Sequence, residues 1–331
     1  MKKVKPLFVL SALAFASSSM AGNVAVYGYL DAGIQNADPK AGAAKTQLVS
    51  GLLAPNTLGF KSSEDLGNGL SAHAVLENRF EVVNGALSNG NGNMFNVAKV
   101  GIASEQLGQL NLGRTVDAFW GNGLAKFDVT AGGNMGSAVD TVLYLQLSPV
   151  FQSNTVQYVA PGVGGFNGAV TYALKDNTNT QNDRYSLAAT YESGALSVGA
   201  GYAKHDGKGY FAGAGYDFGV AKANVVYLDA ESVTTGENSK AWGINGAVPM
   251  GATTITAAYY DYDRATAGNG EIAQLGAQYA LSKRTRLFAN YQHATGSVGL
   301  NYGSTAGSNT NGTVIVKDPG SAVTFGVGHS F

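Results

Sequence analysis

Apolar and polar residues alternate with period two along most of the chain. Val24, Val26, Leu30 and Ile34 fall on one face of the first segment, with Ala25, Tyr27, Tyr29 and Asp31 on the other. Leu70, Ala72, Ala74 and Leu76 alternate with Ser71, His73, Glu77 and Arg79, and Leu275, Ala277 and Tyr279 with Gln274, Gly276 and Gln278. Such alternation predicts strands with one apolar and one polar face. The pattern predicts sixteen of them, over 23–34, 45–62, 69–81, 94–104, 108–115, 153–161, 166–176, 182–193, 194–204, 208–218, 219–231, 238–248, 251–263, 269–281, 284–294 and 321–331. Very short turns, such as Asp65–Asn68, Asp217–Gly219 and Ser282–Lys283, alternate with longer links at 35–44, 82–93, 116–152 and 295–320.

Short turns on one rim and longer loops on the other are the layout of an outer-membrane barrel, with the short rim periplasmic. In lipid every backbone N–H and C=O needs an internal partner, which only helices and closed barrels supply. No apolar run of 18 residues exists, which removes the helix. Tyr158, Tyr172, Tyr191, Tyr202, Tyr216, Phe218, Tyr259 and Tyr279 stand on apolar faces near strand ends, as membrane girdles do. That placement argues against a soluble β-sandwich or β-solenoid. The expected fold is all-β: a 16-stranded antiparallel transmembrane β-barrel with short periplasmic turns and longer extracellular loops.

Composition agrees. Charged residues are 13%, against roughly 25% in soluble domains, while Gly is 46 and Tyr 17 of 331. Mean hydropathy is only −0.01, because outward apolar residues are diluted by inward polar ones. Lys2, Lys3 and Lys5, an apolar run over Leu7–Phe15 and the small residues of Ser19-Met20-Ala21 read as a secretory signal over 1–21. Residues 22–331 then form a single barrel domain, since cutting a closed barrel exposes strand edges. Without the three signal lysines, 18 basic face 22 acidic side chains, a net charge of −4. Nothing points to a nucleic-acid partner. There is no cysteine, hence no disulfide framework or thiolate metal site.

Parity puts Lys61, His73, Glu77 and Arg79 on the inner face, with Tyr27 and Tyr29; Arg284 and Arg286 lie inward near the periplasmic rim. Lys222 is compatible with either face. The longest link, 116–152, carries Asp117, Asp128 and Asp140, with Lys126 as its base; structureless loops of that length are usually functional. An enzyme reading needs a nucleophile and base in reach. None of the four histidines has a motif around it, His205 and His293 read as surface residues at strand ends, and no Gly-x-Ser-x-Gly occurs. The Gly162–Gly168 run has no helix or Lys-Ser/Thr after it and is a turn, not a phosphate loop. No cofactor is implied.

Several stretches resemble the Gram-negative porins of Neisseria and Burkholderia type: Val24-Ala25-Val26-Tyr27-Gly28-Tyr29-Leu30-Asp31-Ala32-Gly33, then Leu58-Gly59-Phe60-Lys61 with Glu64-Asp65-Leu66-Gly67-Asn68-Gly69-Leu70, then Leu110-Asn111-Leu112-Gly113-Arg114. Tyr279-Ala280-Leu281-Ser282-Lys283-Arg284-Thr285 resembles the last periplasmic turn, and Gly326-Val327-Gly328-His329-Ser330-Phe331 the closing strand. The resemblance implies a homotrimer in outer-membrane lipid, each barrel narrowed by an inward-folded third loop. It implies that Phe331 is read by the barrel assembly machinery. It also implies that some of Asp117, Asp128 and Asp140 face Lys61, Arg79 and Arg114 across a waist, with Lys126 nearby. The sequence departs from the family where an arginine precedes the Leu-Gly pair, here Thr57, so its usual charge selectivity does not carry over.

The expected function is a general diffusion porin of the outer membrane, passing ions and small hydrophilic solutes passively. Net acid and few inward arginines argue for a mild cation preference. The alternative is a substrate-specific channel for a sugar or an anion, and an adhesin barrel is a weaker rival because most links are short.

Overall fold

A strand that is polar on one side and apolar on the other is stable in a bilayer only if both edges find partners. The computed structural model describes residues 23–87, 93–129, 150–175, 184–205, 207–232, 236–265, 268–297, 301–302, 314–315 and 319–331. The strands are β1 (Asn23–Pro39), β2 (Lys45–Ser50), β3 (Thr57–Gly67), β4 (Leu70–Arg79), β5 (Val97–Ser104), β6 (Gly108–Val116), β7 (Phe151–Val159), β8 (Phe166–Ala173), β9 (Arg184–Ser193) and β10 (Leu196–Lys204). They continue with β11 (Gly207–Asp217), β12 (Lys222–Ser232), β13 (Asn238–Met250), β14 (Thr253–Arg264), β15 (Gly270–Ala280), β16 (Thr285–Ala294), the two-residue β17 (Asn301–Tyr302) and β18 (Val314–Ile315), and β19 (Gly320–Ser330).

From β3 to β16 each strand pairs antiparallel with the next, β16 pairs with β19, and β1 joins β19 to β3. That is a closed barrel of sixteen strands. β2 is the extra one: it lies along β1 from Ala32 to Ala37, while β3 takes β1 from Asn23 to Tyr29. The single strand expected over 45–62 is therefore two strands, parted by residues 51–56. β1 also runs on to Pro39, which shortens the first link to 40–44. The proposed signal over 1–21 lies outside the described residues.

The ladder settles the two faces. Val24, Val26 and Ile34 of β1 are exposed outward, and Phe325 and Val327 of β19 stand beside them. The girdle aromatics are outward and pair across strands: Phe166 with Tyr191 at 4.4 Å between ring centres, Tyr185 with Tyr202 at 6.0 Å, Trp242 with Tyr259 at 5.6 Å. Alternate connections are tight and lie at one rim. Between β11 and β12, for example, Asp217 Oδ1 accepts the Gly219 N–H at 2.8 Å, and Gly219 takes φ +83°, which an L side chain resists.

The candidate waist: a loop seated in glycine, facing a basic wall

The chain leaves β6 at Val116 and turns inside the barrel. Residues Ala118–Gly123 form a π-helical turn, followed by a 3₁₀ turn over Leu124–Phe127. Its entry is fixed by polar contacts. Asp117 Oδ1 accepts the Trp120 N–H at 2.8 Å, Asp117 Oδ2 lies 3.1 Å from His205 Nε2, and the Ala118 N–H reaches Thr171 Oγ1 (3.0 Å) and Ser186 Oγ (3.1 Å). Below it, Gln157 Nε2 donates to the Val116 carbonyl at 2.7 Å and to Thr171 Oγ1 at 3.0 Å. At the far end Asn245 Nδ2 donates to the Phe127 carbonyl (2.9 Å), and its Oδ1 accepts the Val129 N–H (3.0 Å).

Between these anchors the loop packs by its apolar side. Phe119, Leu124 and Phe127 are buried against Ala188, Phe211, Val226 and Leu228 of the wall. Phe119 meets Phe211 edge-on at 5.0 Å and 88°, the geometry aromatic quadrupoles favour. Room for these rings comes from inward glycines. A Cβ on Gly213 would stand 2.5 Å from Phe127 Cγ, and one on Gly199 2.8 Å from Phe127 Cε2. β10 and β11 thus carry a shallow seat carved by missing side chains.

Opposite parity rows on β1 and β3–β5 carry the charge. Lys61 pairs with Val75, which pairs with Lys99, so both lysines share one inward row. Lys61 Nζ lies 5.7 Å from the centre of the Tyr27 ring, and the Tyr27 hydroxyl donates to Glu77 Oε2 at 3.2 Å. Arg79 Nε is 3.6 Å from Glu77 Oε1, and its guanidinium lies 4.6 Å from the Phe151 ring centre. His73, lower on β4, joins Gln109 (2.7 Å) and Asn111 (2.8 Å). Arg286 donates to Gln278 Oε1 at 3.2 Å, and Arg284 lies in the β15–β16 turn, its carbonyl accepting the Ser330 N–H.

Several predicted constriction residues stand elsewhere than across a waist from the basic row. Asp117 is buried behind the loop against His205, and that histidine is 3% exposed rather than a surface residue. Asp128 is buried beside the Tyr260 hydroxyl. Lys126 lies down the wall, 3.1 Å from Thr190 Oγ1 and 3.2 Å from Glu192 Oε1. Arg114 is the exception: it donates to Ser153 Oγ at 2.6 Å, and its guanidinium lies 5.8 Å from the centre of the same Phe151 ring that Arg79 covers. For Asp117, Asp128 and Lys126 the reason is common: a helix cap or a partner on the near wall fixes where the charge points, rather than a base across the lumen. Asp140 lies outside the described residues. Lys99 joins the inward bases unannounced by any motif, although its parity, opposite to Val100 and Ile102, marks it as inward.

The Asp117 anchor is testable. Asp117→Ala removes the acceptor of the Trp120 N–H, at about 1–3 kcal/mol for a buried group, and takes one partner from His205. Limited proteolysis of the folded protein should cut at 117–129 at least several-fold faster than in wild type, and equal rates would show that the cap does not hold the loop.

A closed barrel with an apolar outer band, a polar interior and a loop folded into it is a pore-forming outer-membrane protein. The comparisons agree: the family model described as "Gram-negative porin" matches residues 8–299, and the chain belongs to that family. It is 25% identical over 358 residues to outer membrane porin protein 32 of Delftia acidovorans, covering 99% of both chains. It is 30% identical to the major outer membrane protein P.IB of Neisseria lactamica over 62% of this chain and 60% of that one. The solved anion-selective porin from Comamonas acidovorans superposes with a TM-score of 0.81 at 23% identity, over 94% of this chain and all of that one. The protein is thus a porin of the Gram-negative outer membrane.

Proposed function

We propose that the pore is a general diffusion channel for small hydrophilic solutes, with a mild preference for anions. The carrying observation is the inward cluster of Lys61, Arg79 and Lys99 on adjacent strands, three bases gathered on one wall with Glu77 beside Arg79. A net charge of −4 argues for cations. Selectivity, however, follows the potential where the pore is narrow, and Asp117 and Asp128 are withdrawn from it. The solved Comamonas porin is itself described as anion-selective, a likeness that supports the fold and only accords with this reading. Single-channel recording in planar bilayers under a salt gradient tests it. Large ohmic steps with a reversal potential of anionic sign are expected. A cationic sign overturns the preference, and tiny currents blocked by one sugar or one anion overturn general diffusion in favour of a specific channel.

The same reading includes a homotrimer. Outward aromatic pairs occupy β8–β14, whereas β19, β1 and β3–β6 present mostly aliphatic and small side chains outward, with Phe60, Phe325 and Phe331 as exceptions. Lipid interfaces favour aromatic belts, so the aliphatic side is the face we assign to the neighbouring subunits. Phe331 is proposed as the assembly signal. Its backbone exchanges two hydrogen bonds with Gly28, at 3.0 and 3.1 Å, and its ring covers Gly28 on the outer face. Phe331→Ala should lower the yield of folded barrel in cells while leaving refolding from denaturant in detergent nearly unchanged; equal loss in both assays would make it a stability residue instead.

A further inference from the structure

Between Ala32, which faces Ser50, and Tyr29, which faces Thr57, β1 has two residues, Leu30 and Asp31; the facing chain has six, 51–56. Four residues are therefore inserted into what is otherwise one regular strand. They bulge inward. Leu52 is fully buried against Val49 and Phe288, on the parity of Gly33 and Gly326, where a Cβ on Gly33 would stand 3.0 Å from Leu52 Cδ1.

One carboxylate holds the bulge. Asp31, 2% exposed, accepts the Leu52 N–H through Oδ1 at 2.7 Å, and through Oδ2 those of Leu53 at 2.7 Å and Ala54 at 3.3 Å. Its own N–H donates to Asn56 Oδ1 at 2.7 Å. Three successive N–H groups around one anion form a nest, and they converge there only when the backbone is bent as it is after Gly51, at φ +69°. Leu53, Ala54 and Pro55 are left half-buried at the tip.

We propose that residues 51–56 are a second jaw of the pore waist, on the wall of β16, β19 and β1, and that Asp31 is the positioning residue that sets its reach. The 117–129 loop narrows the lumen from β8–β14, and this jaw narrows it from the other side. The bore then depends on a carboxylate that need not touch the solute. This inference rests on the porin reading above.

The test compares wild type, Asp31→Asn, a deletion of Leu52–Pro55, and the two combined. The deletion leaves Gly51 and Asn56 opposite Leu30 and Asp31, so a regular ladder can close and the barrel can fold. Each protein is checked for β-structure and for folded mobility on gels, then measured for single-channel conductance and for uptake of sugars of increasing size into liposomes. The deletion is expected to shift conductance and the size limit upward. Asp31→Asn is expected to shift both part of the way in the full chain and not at all in the deletion background, a dependence that mere loss of stability would not produce. A conducting wild type with an unchanged conductance and size limit in the deletion variant overturns the second jaw, whereas a wild type that conducts nothing overturns the porin reading instead.

Discussion

Replacing Lys61 and Lys99 together with glutamate should reverse the sign of the reversal potential in a salt gradient. The two lysines stand on one cross-strand row with Val75 between them, so their backbones are about 10 Å apart at the usual strand spacing. The double change moves the local charge by four units. At about 10 Å in a water-filled pore each unit acts on a passing ion by roughly 0.4 kcal/mol, and a Debye length of about 10 Å at 0.1 M salt cuts the sum to about 0.6 kcal/mol. That favours cations and disfavours anions about threefold each, so the permeability ratio shifts by roughly eightfold.

Two controls make this decisive. Lys61→Gln with Lys99→Gln should fall between wild type and the double reversal, because it removes half the charge change. At about 1 M salt, where screening reaches only about 3 Å, the three proteins should converge. A reversal potential that ignores all these changes would mean that the row lies off the ion path, and the anion preference would go with it.

Most of the barrel is legible in the sequence because its cause is local. Alternation is a property of each strand, and a one-residue error would turn every apolar side chain into the lumen; hence predicted strands such as 269–281 and 284–294 lie within a residue or two of β15 and β16. The inserted jaw was harder to see. Leu52 and Leu53 continue the apolar character of the strand, so the pattern ran straight through it. Gly51 and Pro55 were the available signal, since proline is rarely tolerated inside a paired strand. Pore charges divide in the same way. Lys61, Glu77 and Arg79 follow from parity, as Lys99 would have. Arg114 does not, because the ladder shifts register after Gly113 and the side chain comes to the Phe151 ring beside Arg79. Where Asp117 points is settled by its cap and by His205, a residue distant in sequence that folding brings to 3.1 Å. No spacing rule announces such a pair, and a net charge counts it as though it faced the solute.

The glycine seat gives the other large effect. Gly213→Ala places a methyl group 2.5 Å from Phe127 Cγ and 2.6 Å from Cδ2, distances that neither backbone nor ring can accommodate in place. The barrel itself should tolerate the change, since Gly213 keeps its ladder partners Gly199 and Val226 and alanine costs less conformational entropy in a strand than glycine, by about 0.5–1 kcal/mol. What must yield is the loop, which lifts off the wall toward the lumen and lowers the single-channel conductance. Phe127→Ala acts oppositely. Losing a buried phenylalanine costs about 3–5 kcal/mol of packing, drawn here from the docking of the loop rather than from barrel closure, so the open channel should become noisier. The double variant is the telling one: without the ring the new methyl group meets nothing, and conductance should return toward the wild-type value, a non-additivity expected only of side chains in contact. Additive effects, or wild-type conductance and noise in both single variants, would mean that the loop is held by its polar ends at Asp117 and Asn245 and that the glycines serve only to let the ring pass during folding.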